Sequence, residues 1–293
     1  MVGRYGIIMN RRVYILLPVY NRRDITAGFI ECLKHQTYPN VHLILIDDGS
    51  TDGTENMVRE GVEAGRLTVV RGKGNWWWAG SLQQGIKRLK RIPPAPSDII
   101  LMINDDVMFE NDFIENGVGE VMQHPDSLLL ANCIDGPEGE IVETGLKVDF
   151  RKMSFSRATS AEAITCLSTR GLFMRWAVLE RIGGFYPLLL PHYGSDFEFT
   201  MRARRKGFEL RTCDNVCLTA DLAATGVRNI AEGSGFTDVL KQLFDKKSAM
   251  NPVYRTTFII LTCPPKWIPA HIIKTWLRAG RHILKSFREG RRK

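Results

Sequence analysis

The chain has 293 residues, of which 44% are hydrophobic and 25% are charged, a balance that is ordinary for a folded globular protein and argues against a disordered one. It contains no run of about 18 apolar residues, so the sequence predicts no membrane-spanning helix. Residues 251–293 hold ten lysines and arginines against one glutamate, a net charge of +9 in a chain of net charge +8. The preceding residues therefore carry −1 and give no electrostatic support for nucleic-acid binding.

The cysteines and the amino terminus indicate a cytoplasmic protein. The six cysteines form no C-x-x-C pair, and no histidine near Cys213 or Cys217 completes a zinc site. We interpret them as reduced and mostly buried. The apolar patch at residues 7–9 is too short for a signal peptide and is followed by Arg11 and Arg12.

Apolar runs alternate with helical patterns through the first half of the chain. The predicted strands are residues 13–19, 41–46, 67–71 and 98–103. The predicted helices begin at Asp24, at Asp52 or Thr54, and at Ser81. This succession is typical of an α/β protein with a mostly parallel sheet.

The pattern becomes mixed after a helix predicted over residues 112–122. Further strands are predicted at 128–134 and 165–174, a hairpin at 139–148, and helices at 177–182 and 196–206. We place boundaries at residues 1–12, 13–125, 126–250 and 251–293.

Two carboxylate pairs follow strands of the first half. Asp47 and Asp48 directly follow one apolar strand. Asp105 and Asp106 follow a second apolar strand, from which one residue, Asn104, separates them. Ligands of open α/β sheets bind beyond the carboxyl ends of the strands. Adjacent carboxylates need a cation or hydrogen-bond donors, and the candidates are a divalent metal, a nucleobase N–H and ribose hydroxyls. Alternatively, Asp47 hydrogen-bonds the turn that follows it.

Six motifs occur in order between about residue 13 and about residue 225, and no G-x-G-x-x-G follows the first strand. They are LPVYNR (17–22), IDDGSTDGT (46–54), GNWWWAG (74–80), NDDV (104–107), GGF (183–185), and LPHYGSDFEF (190–199) with RAR (202–204). With these motifs the chain resembles the glycosyltransferases of family 2, which have the GT-A fold and transfer a sugar from a nucleotide diphosphate sugar. Rhamnosyl- and galactofuranosyltransferases share motifs of this kind.

The resemblance implies a donor half at 13–125 and an acceptor-binding, catalytic half at 126–250. Nucleotide-sugar binding is implied for Pro18, Tyr20, Asn21, Asp48, Asn75 and Asp105. Asp48 would accept the base N–H. Asp106 would bind a divalent metal, Mg²⁺ or Mn²⁺, that neutralises the departing diphosphate.

One expected feature is missing. Family members usually carry a histidine metal ligand beyond the catalytic base, and residues 208–228 contain none. Asp221 is a hard oxygen donor that suits either metal and is our candidate second ligand. The alternative is an ordinary loop aspartate.

Asp196 matches the family's general base. An inverting transfer needs a carboxylate on the face of the sugar opposite the leaving group, where it receives the acceptor proton. The alternative is that Asp196 is the N-cap of the helix that begins there.

Three residues are candidates for acceptor binding: Trp77, His192 and Glu198. Consecutive tryptophans at 76–78 cannot all face one core, so at least one is expected to line the site, where an aromatic face suits a sugar. The alternatives are that the tryptophans pack beneath the nucleotide loop and that Glu198 lies on a solvated helix face.

The tail predicts a basic amphipathic helix that lies on an anionic membrane. Its apolar face holds Ile272, Ile273, Trp276, Leu277, Ile283, Leu284 and Phe287. Its basic face holds Lys274, Arg278, Arg281, Lys285 and Arg288. The alternative is a helix packed on the catalytic domain with a solvated basic face.

The sequence thus predicts an inverting glycosyltransferase, peripheral on the inner face of the cell membrane, whose acceptor is a glycan or a lipid-linked saccharide in cell-wall or polysaccharide synthesis. The alternative, motivated by the missing histidine, is a non-catalytic nucleotide-sugar sensor or partner subunit.

Overall fold

A computed structural model describes residues 11–135, 139–220 and 236–290. The strands that it contains are β1 (Val13–Val19), β2 (Val41–Asp47), β3 (Leu67–Arg71), β4 (Ile99–Met102), β5 (Val107–Met108), β6 (Ser127–Ile134), β7 (Ile141–Glu143), β8 (Leu146–Asp149), β9 (Ser154–Arg157), β10 (Leu172–Arg175) and β11 (Glu209–Ala220). Its helices are α1 (Arg23–Lys34), α2 (Thr54–Gly61), α3 (Trp77–Arg91), α4 (Phe113–Gln123), α5 (Trp176–Ile182), α6 (Ser195–Arg205), α7 (Phe236–Phe244), α8 (Pro252–Thr262) and α9 (Ile268–Gly290).

One large sheet organises the molecule, in the order β3-β2-β1-β4-β10-β6-β11-β5, with β7 paired to β6. The first four strands are parallel to one another, and β6 is parallel to β11. The strands β10, β7 and β5 run antiparallel to their neighbours. The predicted α/β class, with a parallel first half and a mixed second half, is confirmed.

The central strands β1 and β4 are apolar throughout because helices cover both faces of the sheet. Side chains alternate along β1, so Leu16 packs in the layer that contains Leu82 and Ile86 of α3, whereas Ile15 packs with Phe29 of α1. Phe113 of α4 joins that second layer. The continuous apolar runs therefore reflect a sheet buried between two helical layers.

Several element predictions need correction. The predicted hairpin at 139–148 is wrong, because β7 pairs with β6 while β8 pairs with β9. The predicted strand at 165–174 is regular only over β10, and α3 begins at Trp77, four residues before its predicted start at Ser81. The sequence pattern did not predict the long strand β11, which covers Glu209–Ala220.

The carboxy-terminal helices form a small layer in which α9 packs on α7 and α8, and α8 packs on α6. Helix α9 buries small and polar side chains: His271, Thr275, Ala279 and Ser286. It exposes an apolar stripe, defined as Ile273, Trp276, Leu277, Leu284 and Phe287, each at least 45% accessible. Among the described residues, no helix has the length and apolarity needed to span a bilayer.

Candidate functional site

The two carboxylate pairs lie at one edge of the sheet. Strand β1 is flanked by β2 and β4, and all three are parallel, so their carboxyl ends coincide. The end of β2 and the segments that follow β2 and β4 bring together Asp47, Asp48, Asp105 and Asp106, each at most 6% exposed. Buried carboxylates require partners, and the structure supplies a different one for each pair.

Asp48 binds the backbone of the loop that leads into α3. Its Oδ1 accepts the N–H groups of Gly74 (3.0 Å) and Asn75 (3.2 Å), and its Oδ2 accepts those of Trp76 (2.7 Å) and Trp77 (3.3 Å). The N–H groups of Trp76 and Trp77 are among the unsatisfied donors at the start of α3, so this carboxylate favours a helix that begins earlier than its sequence pattern predicts. A nucleobase N–H would have to share this carboxylate with the chain's own amides.

The side chain of Asp47 hydrogen-bonds the backbone of the turn that follows β2. Its Oδ1 accepts the N–H of Ser50 at 2.7 Å. This is the turn interaction that we gave as the alternative to ligand contact.

Asp105 and Asp106 share a cation, which the sequence analysis missed. Arg22 places Nε 3.2 Å from Oδ1 of Asp105 and a terminal nitrogen 3.2 Å from Oδ2 of Asp106. Thr26 of α1 donates to Asp105 at 2.9 Å. Burial raises the pKa of Asp105 to about 6, and Arg22 opposes that rise. The signal was present, because Arg22 closes the LPVYNR motif at the end of β1.

Asp106 retains one free oxygen. Its Oδ1 is buried and has no hydrogen-bond partner within the described chain. A hard oxygen with an unused lone pair fits a divalent cation. Among the described residues, no three or more His, Cys, Asp or Glu side chains are grouped so that they could hold a metal ion, and Asp221 lies outside those residues.

The predicted donor residues of the first loop lie beside these carboxylates. Asn21 has a positive φ of 50°, and its side chain accepts the N–H of Thr51 at 2.8 Å, so it ties the loop after β1 to the loop after β2. Tyr20 is 51% exposed and borders Gly74. Pro18 is partly buried within β1. The exposed ring of Tyr20 leaves an aromatic face free for a ligand.

Asp196 lies at the start of α6 and faces a cavity of about 190 Å³. The N-cap is Gly194, with a positive φ of 80°, so the N-cap alternative for Asp196 is not what the structure has. Burial raises the pKa of this carboxyl to about 7. A carboxylate of that pKa can accept a proton near neutral pH.

The same cavity reaches the end of β4. Its wall includes Asn104, which directly precedes Asp105 and Asp106, and it also includes Ser168, Thr169 and Tyr193. Asp196 and Asn104, which lies beside the candidate metal ligand pair, therefore line one cavity, although about 90 residues separate them in the chain.

Glu143 and Arg170 also line this cavity and were not predicted. Arg170 Nε lies 3.5 Å from a carboxylate oxygen of Glu143. The charge of Glu143 adds to the rise in the pKa of Asp196, and that of Arg170 opposes it. Neither residue belongs to a motif, so only the packing of β7 and the segment before β10 brings them to Asp196.

Trp77 and His192 meet edge to face, with ring centroids 6.2 Å apart. Trp77 has a positive φ of 59°, and Lys247 Nζ lies 5.2 Å from its ring. His192 lines the Asp196 cavity, and its Nδ1 is buried without a hydrogen-bond partner in the described chain. Burial, helped by the charge of Lys247, lowers the pKa of His192 to about 4, so the imidazole is neutral at pH 7.

The third acceptor candidate, Glu198, is corrected by the structure. It is 2% exposed and forms a two-point ion pair with Arg202, at 2.9 Å and 3.0 Å. Arg202 also donates to the carbonyls of Ile182 and Gly184. Glu198 therefore joins α6 to the end of α5 and is closed to an acceptor, and it does not lie on a solvated face either.

Comparison with known proteins identifies related sequences. The model of a family described as "Glycosyl transferase family 2" matches residues 14–175, more than half of the chain. An uncharacterized glycosyltransferase of Haemophilus influenzae is 28% identical over 144 residues, which span 47% of this chain and 55% of that protein. Glycosyltransferase AglE of Haloferax volcanii is 26% identical over 215 residues, or 70% of this chain and 65% of AglE.

Solved structures share the fold at low sequence identity. The mannosyltransferase PcManGT of Pyrobaculum calidifontis, in complex with GDP-Man and Mn²⁺, has a TM-score of 0.59 at 17% identity, covering 96% of this chain and 75% of its own. TarS 1-349 of S. aureus, in complex with UDP-GlcNAc, has a TM-score of 0.57 at 14% identity, covering 95% of this chain and 92% of its own.

Proposed function

This chain belongs to glycosyl transferase family 2 and has the GT-A fold, and from that membership we propose that it is an inverting, metal-assisted transferase with Asp196 as its general base. One observation carries the proposal: Asp196, with a pKa raised to about 7, and Asn104, beside the buried carboxylate pair, line the same cavity. A base and a leaving-group site must face one space for the transfer to occur.

On the donor side, we assign the nucleotide diphosphate sugar to residues 13–125. Tyr20 would stack on the base, and Pro18 and Asn21 would border it. Asp48 holds the loop of Asn75 in place through backbone hydrogen bonds, and a base N–H would share its oxygens with those backbone amides. Asp105 would face the ribose or the donor sugar.

The metal would be held by Oδ1 of Asp106, the buried oxygen without a partner, and by Asp221. A bound Mg²⁺ or Mn²⁺ supplies positive charge to the departing diphosphate. PcManGT is described in complex with Mn²⁺, which supports the class of ion. Arg22, which pairs with both carboxylates and is partly exposed, would bind a phosphate oxygen of the donor as well.

On the acceptor side, we assign residues 126–250 together with Trp77. The hydroxyl of the acceptor would donate its proton to Asp196 as it attacks the anomeric carbon from the face opposite the diphosphate. Trp77 would cover the apolar face of a sugar, and neutral His192 would hydrogen-bond it through Nδ1.

We also propose that α9 rests on the inner surface of an anionic membrane. The apolar stripe is exposed, and beside it on the helix lie Lys274, Arg278 and Arg281, which are also exposed. This arrangement is typical of interfacial helices and would place the site near a lipid-linked acceptor. Deleting residues 266–293 should abolish sedimentation with anionic vesicles, and continued sedimentation would reject the assignment.

The transfer is tested with a panel of nucleotide sugars and Mn²⁺, by thermal shift and then by product analysis. A donor that stabilises the wild type should stabilise Asp196→Asn to a similar extent, whereas transfer by that variant should fall below detection. Full turnover by Asp196→Asn would remove Asp196 from the role of base.

A sensor or partner subunit is the second candidate. It is favoured by the lack of a cluster of three metal-binding side chains within the described part of the chain. An assay of donor hydrolysis distinguishes the transferase from the sensor. A sensor should release no sugar when Mn²⁺ is added, whereas a transferase should hydrolyse its donor slowly without an acceptor.

A further inference from the structure

A second cavity, of about 150 Å³, lies between α8, α9 and the turn that joins β8 to β9. Four cationic side chains line it: Lys152, Arg255, Lys274 and Arg278. None of the described residues in its wall is an aspartate or a glutamate. The residues of this cavity and those of the Asp196 cavity do not overlap.

The local structure brings these charges together from three elements. Asp149 Oδ1 accepts the N–H groups of Arg151 (2.8 Å) and Lys152 (3.1 Å), which shapes the turn and carries Lys152 to the cavity. His271 of α9 hydrogen-bonds the carbonyl of Phe150 at 2.8 Å and ties that turn to the helix. Lys274 and Arg278 are four residues apart on α9 and so share the face that meets the turn.

Within the described chain, none of the four cationic side chains forms an ion pair within 4.0 Å. Arg255 is half-buried, and burial lowers its pKa, as does the neighbouring charge of Arg278. The nearest carboxylate in sequence, Asp149, is exposed; backbone N–H groups that it accepts lower its pKa, and so do the charges of Lys152 and Arg151. The other three cationic side chains are exposed, but the half-buried charge of Arg255 beside the like charge of Arg278 is unfavourable unless an anion joins it.

We propose that this cavity binds a phosphate-bearing anion, a phosphomonoester or a diphosphate. The guanidinium groups of Arg255 and Arg278 would contact the phosphate oxygens, and Lys152 and Lys274 would add charge at the rim. Lys274 and Arg278 lie beside the apolar stripe of α9, so the head group of an anionic lipid can reach the same place as a free phosphate compound. The site is independent of the proposed transfer reaction.

The test is calorimetric titration of the full chain in EDTA with three probes: pyrophosphate, glycerol 3-phosphate and dihexanoyl phosphatidic acid. The test variant is Arg255→Gln with Arg278→Gln. The control is Arg281→Gln with Lys285→Gln, which removes the same charge from α9 away from the cavity. We expect the test variant to lose about tenfold or more in affinity, and the control to stay within about twofold of the wild type.

The probes identify the source of the phosphate. Binding of dihexanoyl phosphatidic acid much more tightly than glycerol 3-phosphate would indicate a lipid head group, whereas equal binding would indicate a soluble phosphate compound. Equal losses of affinity in the test variant and the control would mean that the anions are attracted to the basic helix as a whole, and would overturn the proposed site. So would the absence of binding by all three probes to the wild type.

Thermal melts of the same samples check that the variants fold. Because the substitutions relieve repulsion between Arg255 and Arg278, the melting temperature of the test variant without phosphate should equal or exceed that of the wild type. Pyrophosphate should then raise the melting temperature of the wild type and of the control, but not that of the test variant.

Discussion

Arg22 and Asp106 form an ion pair at the carboxyl edge of the sheet, with a nitrogen of Arg22 3.2 Å from Oδ2 of Asp106. The other oxygen of the same carboxylate is buried and has no partner in the described chain. Asp106 therefore divides its two oxygens between a fixed cation of the protein and a free position where a metal ion fits.

The substitution Arg22→Gln should strengthen metal binding. Without the guanidinium, Asp105 and Asp106 repel each other, so the protein should lose about 1–3 kcal/mol of stability, and Mn²⁺ should restore part of it. Thermal melts with and without Mn²⁺ measure both effects. The control Arg23→Gln removes the same charge from the next residue and should respond to Mn²⁺ like the wild type. A smaller Mn²⁺ shift in Arg22→Gln than in the wild type would contradict the pairing.

Transfer should depend on the ionisation of Asp196. The pKa of this group is raised to about 7 and a base must be ionised, so the rate should rise with pH from roughly a tenth of its maximum at pH 6 to roughly nine tenths at pH 8. Glu143→Gln should move the midpoint to lower pH, because the charge of Glu143 helps to raise the pKa of Asp196. A flat profile between pH 6 and 8 would exclude this base.

The contribution of Asp196 to folding stability should change with pH in the direction opposite to the transfer rate: it should fall as the pH rises. A carboxyl whose pKa is raised on folding binds protons more tightly when folded, so its contribution falls as the pH rises from its unfolded value of 3.8 to about 7. Asp196→Asn should therefore be more stable than the wild type above pH 7, and the difference should vanish towards pH 4. Urea unfolding at both pH values measures this, and an equal difference at the two would count against the raised pKa.

Gly72→Ala should disrupt the Asp48 loop. A Cβ at Gly72 would lie 2.9 Å from Cα of Asp48, and closer still to its Oδ1, so the carboxylate would have to leave the backbone amides that it accepts. We expect a loss of about 1–3 kcal/mol in stability and weaker donor binding. Gly65→Ala is the matched control, since nothing lies within 4 Å of its Cβ. Equal behaviour of the two variants would argue against a structural role for the Asp48 contacts.

Glu198→Ala should destabilise the fold rather than impair acceptor binding. It leaves the guanidinium of Arg202, only 11% exposed, without its carboxylate, at a cost of roughly 3–5 kcal/mol. Glu31→Ala, which breaks the exposed pair with Lys34, should cost far less. Denaturant unfolding compares the two. A variant of wild-type stability with a raised KM for acceptor would restore the acceptor role of Glu198.

The sequence by itself determined the layers and the edge of the sheet where the two carboxylate pairs lie. Apolar strands buried on both faces produce continuous runs such as residues 41–46, and polar residues directly after such runs must lie at the end of a strand. The meeting of Asp48 with Asp106 at one edge follows from parallel strands, whose carboxyl ends coincide. These inferences succeeded because each depends on burial and chain direction, which a local pattern records.

Only the tertiary structure decided which atoms each carboxylate contacts. The two pairs look alike in sequence, but Asp48 binds backbone N–H groups of a loop about 26 residues away, and Asp106 binds Arg22 across 84 residues. The sequence offered Glu198 as an acceptor residue or a solvated one, whereas in the structure Arg202 pairs with it and donates to the end of α5. Glu143 reaches Asp196 because β7 pairs with β6. Partners of this kind are set by the packing of elements that are distant in the chain, and no local pattern encodes that distance.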